Sequence, residues 1–130
     1  MTKSEAIENH RKMWNWIADQ YEDEHGIHLM TDEMKNLYIK DNLGNNATVF
    51  NECFLCDYAF TDSYSMSSYC RYCPLEWPDQ KNYNGFFCES ESNNRANWVQ
   101  CMNLSHNKQF NDAARIARAI ANLPEKVTES

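Results

Sequence analysis

The sequence predicts an α+β fold that is mostly helical, with N- and C-terminal helices packed around a small zinc-knuckle β-hairpin region. Three observations lead to this prediction. Apolar residues recur at helical spacing before residue 45 and again after residue 90. Only three glycines and three prolines interrupt the 130 residues, which favours long helices. Between the helical parts, two Cys-x-x-Cys pairs lie among β-branched and aromatic residues.

A single domain is expected over residues 1–130, because a chain of this length supports one modest core. We divide it into a helical N-terminal part (1–45), a zinc-binding part (46–90), a helical C-terminal part (91–123) and a loose tail (124–130).

The first helix is predicted over residues 2–21, where apolar side chains follow the i, i+3, i+4 and i+7 spacing of one helical face. Thr2 or Ser4 can cap its start, because a hydroxyl there accepts from a free backbone N–H. His25 and Gly26 are expected to end it, since glycine tolerates the left-handed conformation beyond a helix.

A second, shorter helix is predicted from Asp32 to Asp41, with Thr31 as its N-cap and Gly44 at its end. After it the pattern changes. Residues 46–60 favour a short hairpin, and the serine-rich residues 61–69 favour a loop.

Two helices are predicted in the C-terminal part. Ser90 or Ser92 can cap the first, which runs through Trp98, Val99 and Met102. The last helix ends before Pro124 and carries an apolar stripe. That stripe consists of Phe110, Ala113, Ala114, Ala117, Ile120 and Ala121.

The cysteine pairs predict one structural zinc ion bound by Cys53, Cys56, Cys70 and Cys73. A two-residue spacer lets both thiolates of a pair bind one ion, and two pairs complete a tetrahedron. Iron bound as in rubredoxin is the alternative, because the same four sulfurs would hold it. Four thiolates leave no position for a catalytic water, so the metal is expected to be structural.

The two single cysteines have different expected roles. Cys88 is the alternative fourth ligand, whereas Cys101 sits in a helical pattern and is expected to be a small buried hydrophobic residue. Paired cysteine spacing and the lack of a signal-peptide or membrane-spanning pattern favour a cytoplasmic protein over a secreted, disulfide-linked one.

The formal net charge of −7 disfavours binding to nucleic acid, which requires clustered cations. The most negative stretch, here called the acidic segment, covers residues 19–33 and has no Lys or Arg. It is either a solvated turn or a partner-binding surface. Its carboxylates are Asp19, Glu22, Asp23, Glu24, Asp32 and Glu33.

Other candidate sites are weaker. His25 and His28, near Asp23 and Glu24, are a minor candidate for a second metal site, and His10 and His106 are expected to be partly exposed. Phosphate-binding, serine-hydrolase and zinc-protease motifs are absent from the sequence, so no enzyme is predicted.

Four sequence runs resemble small uncharacterised Cys-x-x-Cys proteins, zinc-ribbon-like, that phages and prophages of Gram-positive bacteria encode. The runs are NHRKMWNWIA (9–18), CFLCDYA (53–59), CRYCPLEW (70–77) and AIANLP (119–124). The resemblance implies a phage accessory protein and supplies no activity.

The leading functional hypothesis is a non-enzymatic, zinc-stabilised interaction protein in the cytoplasm of a bacterial host. We expect it to inhibit a host or defence protein by presenting the acidic segment to a basic surface. The alternative is a zinc ribbon that binds nucleic acid. The sequence leaves self-association open and indicates no membrane contact.

Overall fold

The computed structural model describes residues 2–44, 54–55, 74–75 and 98–125. Four helices are assigned within these ranges: α1 (Lys3–Glu22), α2 (Thr31–Leu43), α3 (Trp98–His106) and α4 (Phe110–Ala121). No helix in the described ranges has the length and apolar character needed to cross a membrane.

Helix α1 begins with a capping box, which confirms Thr2 as its N-cap. The Glu5 backbone N–H donates to Thr2 Oγ1 (3.1 Å), and the Thr2 N–H donates to Glu5 Oε1 (3.1 Å). The helix ends at Glu22, but the expected role of Gly26 is wrong because its φ is not positive. A Cβ atom at Gly26 would lie 2.1 Å from the Gln20 carbonyl oxygen, so glycine is required here by close backbone contact.

Helix α2 matches the prediction at its end and differs from it at its start. Gly44 has a φ of 102°, the conformation that glycine tolerates best, and it follows the last helical residue. The N-cap, however, is Met30, which makes no side-chain capping bond. Thr31 is instead fully buried as the first helical residue, so its hydroxyl faces the protein interior.

The core is formed mainly by α1 and α4, which make the most extensive contact between two helices in the described ranges. Ala113, Ala114 and Ala117 of α4 are at most 1% exposed, and Ile17 of α1 is fully buried. Small side chains let two helices approach closely, so the alanine stripe positions α1 against α4. The apolar stripe predicted for the last helix is therefore confirmed, and α3 confirms the helix predicted through Trp98, Val99 and Met102.

The predicted fold class is wrong: the described residues form a helical bundle, and they contain no zinc-knuckle β-hairpin and no strand. Phe54 and Leu55, which the hairpin prediction included, are helical and only 1% exposed. The Phe54 ring packs edge-on against Tyr38 of α2, with centroids 6.5 Å apart. Leu75 makes a single isolated antiparallel bridge with Glu125. The hairpin prediction failed at Phe54 and Leu55 because short apolar runs suit a buried helix as well as a strand.

Candidate protein-binding surface

The predicted metal ligands Cys53, Cys56, Cys70 and Cys73 lie outside the described residues, as does the alternative ligand Cys88. The described residues next to them are buried: Phe54 and Leu55 within the first pair, and Pro74 and Leu75 after the second. Within the described ranges, no group of three or more His, Cys, Asp or Glu side chains could hold a metal ion. The four-cysteine zinc site therefore stays a prediction from the sequence.

Cys101 is fully buried, as predicted for a small hydrophobic residue in α3. Burial raises the pKa of its thiol to about 12, so the sulfur stays protonated near neutral pH. Its sulfur lies 3.4 Å from Thr31 Oγ1 and 3.5 Å from the Ala113 carbonyl oxygen. A buried, protonated thiol is a poor nucleophile, and this one links α2, α3 and α4.

Arg118 of α4 forms ion pairs with two carboxylates of the acidic segment. One guanidinium nitrogen of Arg118, Nη2, lies 2.7 Å from Asp19 Oδ1 and 3.1 Å from Glu22 Oε2. The other, Nη1, donates to Asn15 Oδ1 at 3.0 Å. The hydrogen bonds that Arg118 donates to Asp19, first of all, and to Glu22 raise the pKa of Arg118. Two of the six predicted partner-binding carboxylates are therefore paired within the molecule, and the single charge of Arg118 offsets half of theirs.

The other four carboxylates are exposed and remain available. Asp23 Oδ1 accepts from the His25 N–H (2.9 Å), and Asp32 Oδ1 accepts from the Glu33 N–H (2.9 Å), so these two side chains have fixed positions. Within the described ranges, Glu24 and Glu33 form no ion pair and no side-chain hydrogen bond. The pairing of Asp19 and Glu22 with Arg118 thus leaves the unpaired carboxylates concentrated around the link between α1 and α2.

Side chains of α1 hold this link in a defined conformation. The Ile27 N–H donates to Gln20 Oε1 (3.0 Å), and the Gly26 N–H donates to the Asp23 carbonyl oxygen (3.0 Å). The Tyr21 hydroxyl donates to the Leu29 carbonyl oxygen (2.6 Å). Burial raises the pKa of Tyr21 to about 12, so this donor keeps its proton.

His28 fixes the middle of the same link. Its Nε2 lies 3.1 Å from the Gln20 carbonyl oxygen and 2.8 Å from that of Asp23. Because both partners can only accept, Nε2 must carry a hydrogen. The imidazole also stacks on Phe110 of α4, with ring centroids 4.6 Å apart. The minor proposal of a His25–His28 metal site gains no support, since Nε2 of His28 is already occupied.

A buried polar cluster lies next to the link, at the start of α2. Thr31 Oγ1 lies 3.0 Å from Ser105 Oγ and 3.3 Å from the Tyr21 hydroxyl oxygen, while the Thr31 N–H donates to Ser105 Oγ at 3.1 Å. Tyr21, Thr31 and Ser105 come from α1, α2 and α3, respectively. This cluster fixes where α2 begins relative to the other helices.

The expectation that His10 is partly exposed is wrong, because its side chain is 2% exposed between α1 and α4. Its Nε2 lies 3.0 Å from the Ile120 carbonyl oxygen in the last turn of α4. Burial lowers the pKa of His10 to about 4, so the imidazole is neutral near pH 7 and Nε2 donates its hydrogen. His10 therefore serves the packing of α1 on α4. His106 is exposed.

A shallow groove of about 530 Å³ runs along α1 towards Glu125. Its lining mixes acidic, basic and apolar side chains, including Ile7, Arg11 and Trp16. Arg11 already donates to the Leu123 carbonyl oxygen (3.0 Å). The mixture selects no single class of ligand, in contrast to the uniform charge of the acidic segment.

Sequence reasoning overlooked two residues of the α1–α2 link. Ile27 and Leu29 are large hydrophobic residues with 40% and 41% exposure, and they lie between the carboxylates of the acidic segment. The available signal was the presence of two large aliphatic residues, two positions apart, in a stretch otherwise rich in carboxylates. Comparison with known protein families, characterised proteins and solved structures finds no match to this chain.

Proposed function

We propose that this protein is a non-enzymatic, zinc-stabilised interaction protein that binds a protein partner through its acidic segment. The partner in this proposal is a bacterial host or defence protein, and the chain is a phage accessory factor that inhibits it in the host cytoplasm. The single observation that carries the proposal is the group of exposed carboxylates that Arg118 does not pair with. They surround a link whose conformation is fixed by hydrogen bonds.

The electrostatics favour a protein partner over the alternative, nucleic acid. Three cations, Lys108, Arg115 and Arg118, lie in or just before α4. Arg118 is engaged by Asp19 and Glu22, so this is a weak basic patch. With a net charge of −7, the chain repels phosphates, whereas an acidic surface attracts basic protein surfaces and accelerates their association.

The metal has a structural role in this proposal. Cys53, Cys56, Cys70 and Cys73 would hold Zn²⁺, and the ion would contribute folding free energy to the middle of the chain. Metal content, measured by mass spectrometry on single Cys→Ser variants, tests the assignment. We expect about one zinc per chain in the unchanged protein and a loss in each of the four variants. Retention of zinc by Cys70→Ser or Cys73→Ser, combined with loss in Cys88→Ser, would reassign the fourth ligand.

An affinity pull-down from bacterial lysate tests the partner. The expected result is one dominant protein whose capture weakens with salt and with the double charge reversal Glu24→Lys/Glu33→Lys. Asp41→Lys/Asp112→Lys is the matched control, because it changes the net charge equally at exposed positions of α2 and α4 outside the acidic segment. Capture that resists both salt and the first reversal would contradict the proposal. A gel shift with DNA or RNA at physiological salt would favour the alternative.

A further inference from the structure

The α1–α2 link presents an apolar face within the acidic segment. Residues 27–30 are neither helical nor turned, and Met30 has extended backbone angles of φ −63° and ψ 152°. Ile27 and Leu29 are two residues apart in this segment, so their Cα atoms are at most about 7 Å apart and one partner can cover both. The His28 ring packs on Phe110 and Tyr21 but stays exposed, and the side chains of Ile27 and Leu29 on either side of it are 40% and 41% exposed.

This apolar pair is held in place before any partner arrives. The Ile27 N–H and the Leu29 carbonyl oxygen are both bonded to side chains of α1, and the ring of His28 between them is fixed. A surface whose conformation is already set loses little conformational entropy on binding. Two large exposed hydrophobic residues on such a surface are suited to anchor a partner.

The charges around the pair define what can cover it. Glu24 precedes Ile27, Glu33 follows Leu29, and both carboxylates are exposed. A second copy of the chain would bring the same carboxylates against these, and each copy carries a net charge of −7. Like charges facing each other oppose such a contact, so charge complementarity requires a basic partner.

We propose that Ile27 and Leu29 anchor a polypeptide segment in which lysine or arginine residues flank large apolar side chains. This inference rests on the proposed function and specifies the partner's chemistry. The cations would contact Glu24 and Glu33, and the apolar side chains would cover Ile27 and Leu29. Affinity then depends on both parts, whereas a purely electrostatic surface would accept any basic chain.

Three labelled synthetic peptides test this on the full-length protein by fluorescence anisotropy at physiological salt. One has lysines flanking two central leucines, the second replaces the leucines with serines, and the third replaces the lysines with glutamates. We expect the first peptide to bind about tenfold more tightly than the second, as burial of a leucine side chain would produce. The third should not bind, because its charge is repelled.

Variants of the protein assign the site. Leu29→Ser and Ile27→Ser should each weaken binding of the lysine–leucine peptide about tenfold, and Glu24→Gln/Glu33→Gln should weaken both basic peptides. Leu43→Ser and Asp41→Asn are the matched controls, since both residues are exposed at the other end of α2, about 15–18 Å from its start at the rise of an α-helix. Thermal unfolding of each variant should match that of the unchanged protein, because the substituted side chains are exposed.

The outcomes separate this inference from the proposed function. Equal binding of the two basic peptides, or full binding by Leu29→Ser, would overturn the apolar anchor and leave the acidic surface intact. Absence of binding by every peptide would also overturn it, while the lysate pull-down would still judge the proposed function. Dimerisation that Leu29→Ser abolishes, seen by analytical ultracentrifugation, would replace the basic partner with a second copy.

Discussion

The contacts that α1 makes with α4 and with α2 differ in chemistry. Against α4, α1 buries apolar side chains around Ile17 and includes one neutral imidazole, that of His10. Against α2, it adds a polar contact, between the Tyr21 hydroxyl and Thr31, to the ring contact of Trp16 with Tyr38. The first contact stabilises the bundle, and the second gives the acidic segment its shape. The two contacts should therefore respond differently to pH and to mutation.

The largest expected effect is a loss of stability at the α1–α4 contact when the pH is lowered. His10 has a pKa of about 4 when folded and about 6.5 when unfolded, so between these values the unfolded chain binds a proton that the folded chain does not. Stability from this group is complete above pH 6.5 and is lost as the pH falls towards 4. The loss is on the order of 3 kcal/mol.

Chemical denaturation between pH 4 and pH 7 measures this effect. The slope of the unfolding free energy against pH should be smaller for His10→Gln by up to about 1.4 kcal/mol per pH unit, the linkage of one proton, because glutamine does not titrate. Glutamine can still donate to the Ile120 carbonyl oxygen, so the comparison isolates the charge. Identical slopes for the two proteins would show that His10 is not the group responsible.

Removal of the Thr31 hydroxyl should weaken the α1–α2 contact by a smaller amount. Thr31→Val keeps the shape of the side chain but leaves Ser105 and Tyr21 without one of their partners, at a cost of about 1–3 kcal/mol. Thr31→Ser keeps the hydroxyl and serves as the control. Urea denaturation gives the free energies, and a Thr31→Val protein as stable as the unchanged one would refute the role of the cluster.

Substitution of Arg118 should have the smallest effect on stability, but it should measurably change the charge of the acidic segment. Its guanidinium is 34% exposed and its carboxylate partners are more than half exposed, so solvent screens the ion pairs. Arg118→Gln should cost less than about 1 kcal/mol. It also frees Asp19 and Glu22, so the lysine–leucine peptide should associate faster in stopped-flow measurements at low salt. Slower association would contradict the view that Arg118 neutralises part of the acidic segment.

The helices with strong periodicity could be predicted from sequence, as α1 and α4 show, and so could Gly44 at the end of α2. The local pattern around Phe54 failed because short apolar runs do not distinguish a strand from a buried helix. His10 and Thr31 were misjudged for another reason: their partners Ile120 and Ser105 are 110 and 74 residues away. Such contacts depend on the packed fold, which single-sequence patterns do not encode.

The candidate binding surface could likewise be predicted from the sequence only in part. The charges of the acidic segment could be predicted from the sequence, but the pairing of Asp19 and Glu22 with Arg118 could not, because Arg118 lies on the last helix. The apolar pair was visible in the sequence as Ile27 and Leu29. Its exposure depends on how the link packs against α1 and α4, which single-sequence patterns do not encode.

The close approach of Gly26 to the Gln20 carbonyl oxygen has a consequence for protein engineering. Any side chain at position 26 would push the link away from α1, whereas Glu24, Ile27, Leu29 and Glu33 have room for other residues. A library that randomises those four positions and keeps Gly26 should retain the backbone while varying what the surface recognises. The helical bundle would then act as a small scaffold for selecting new binders.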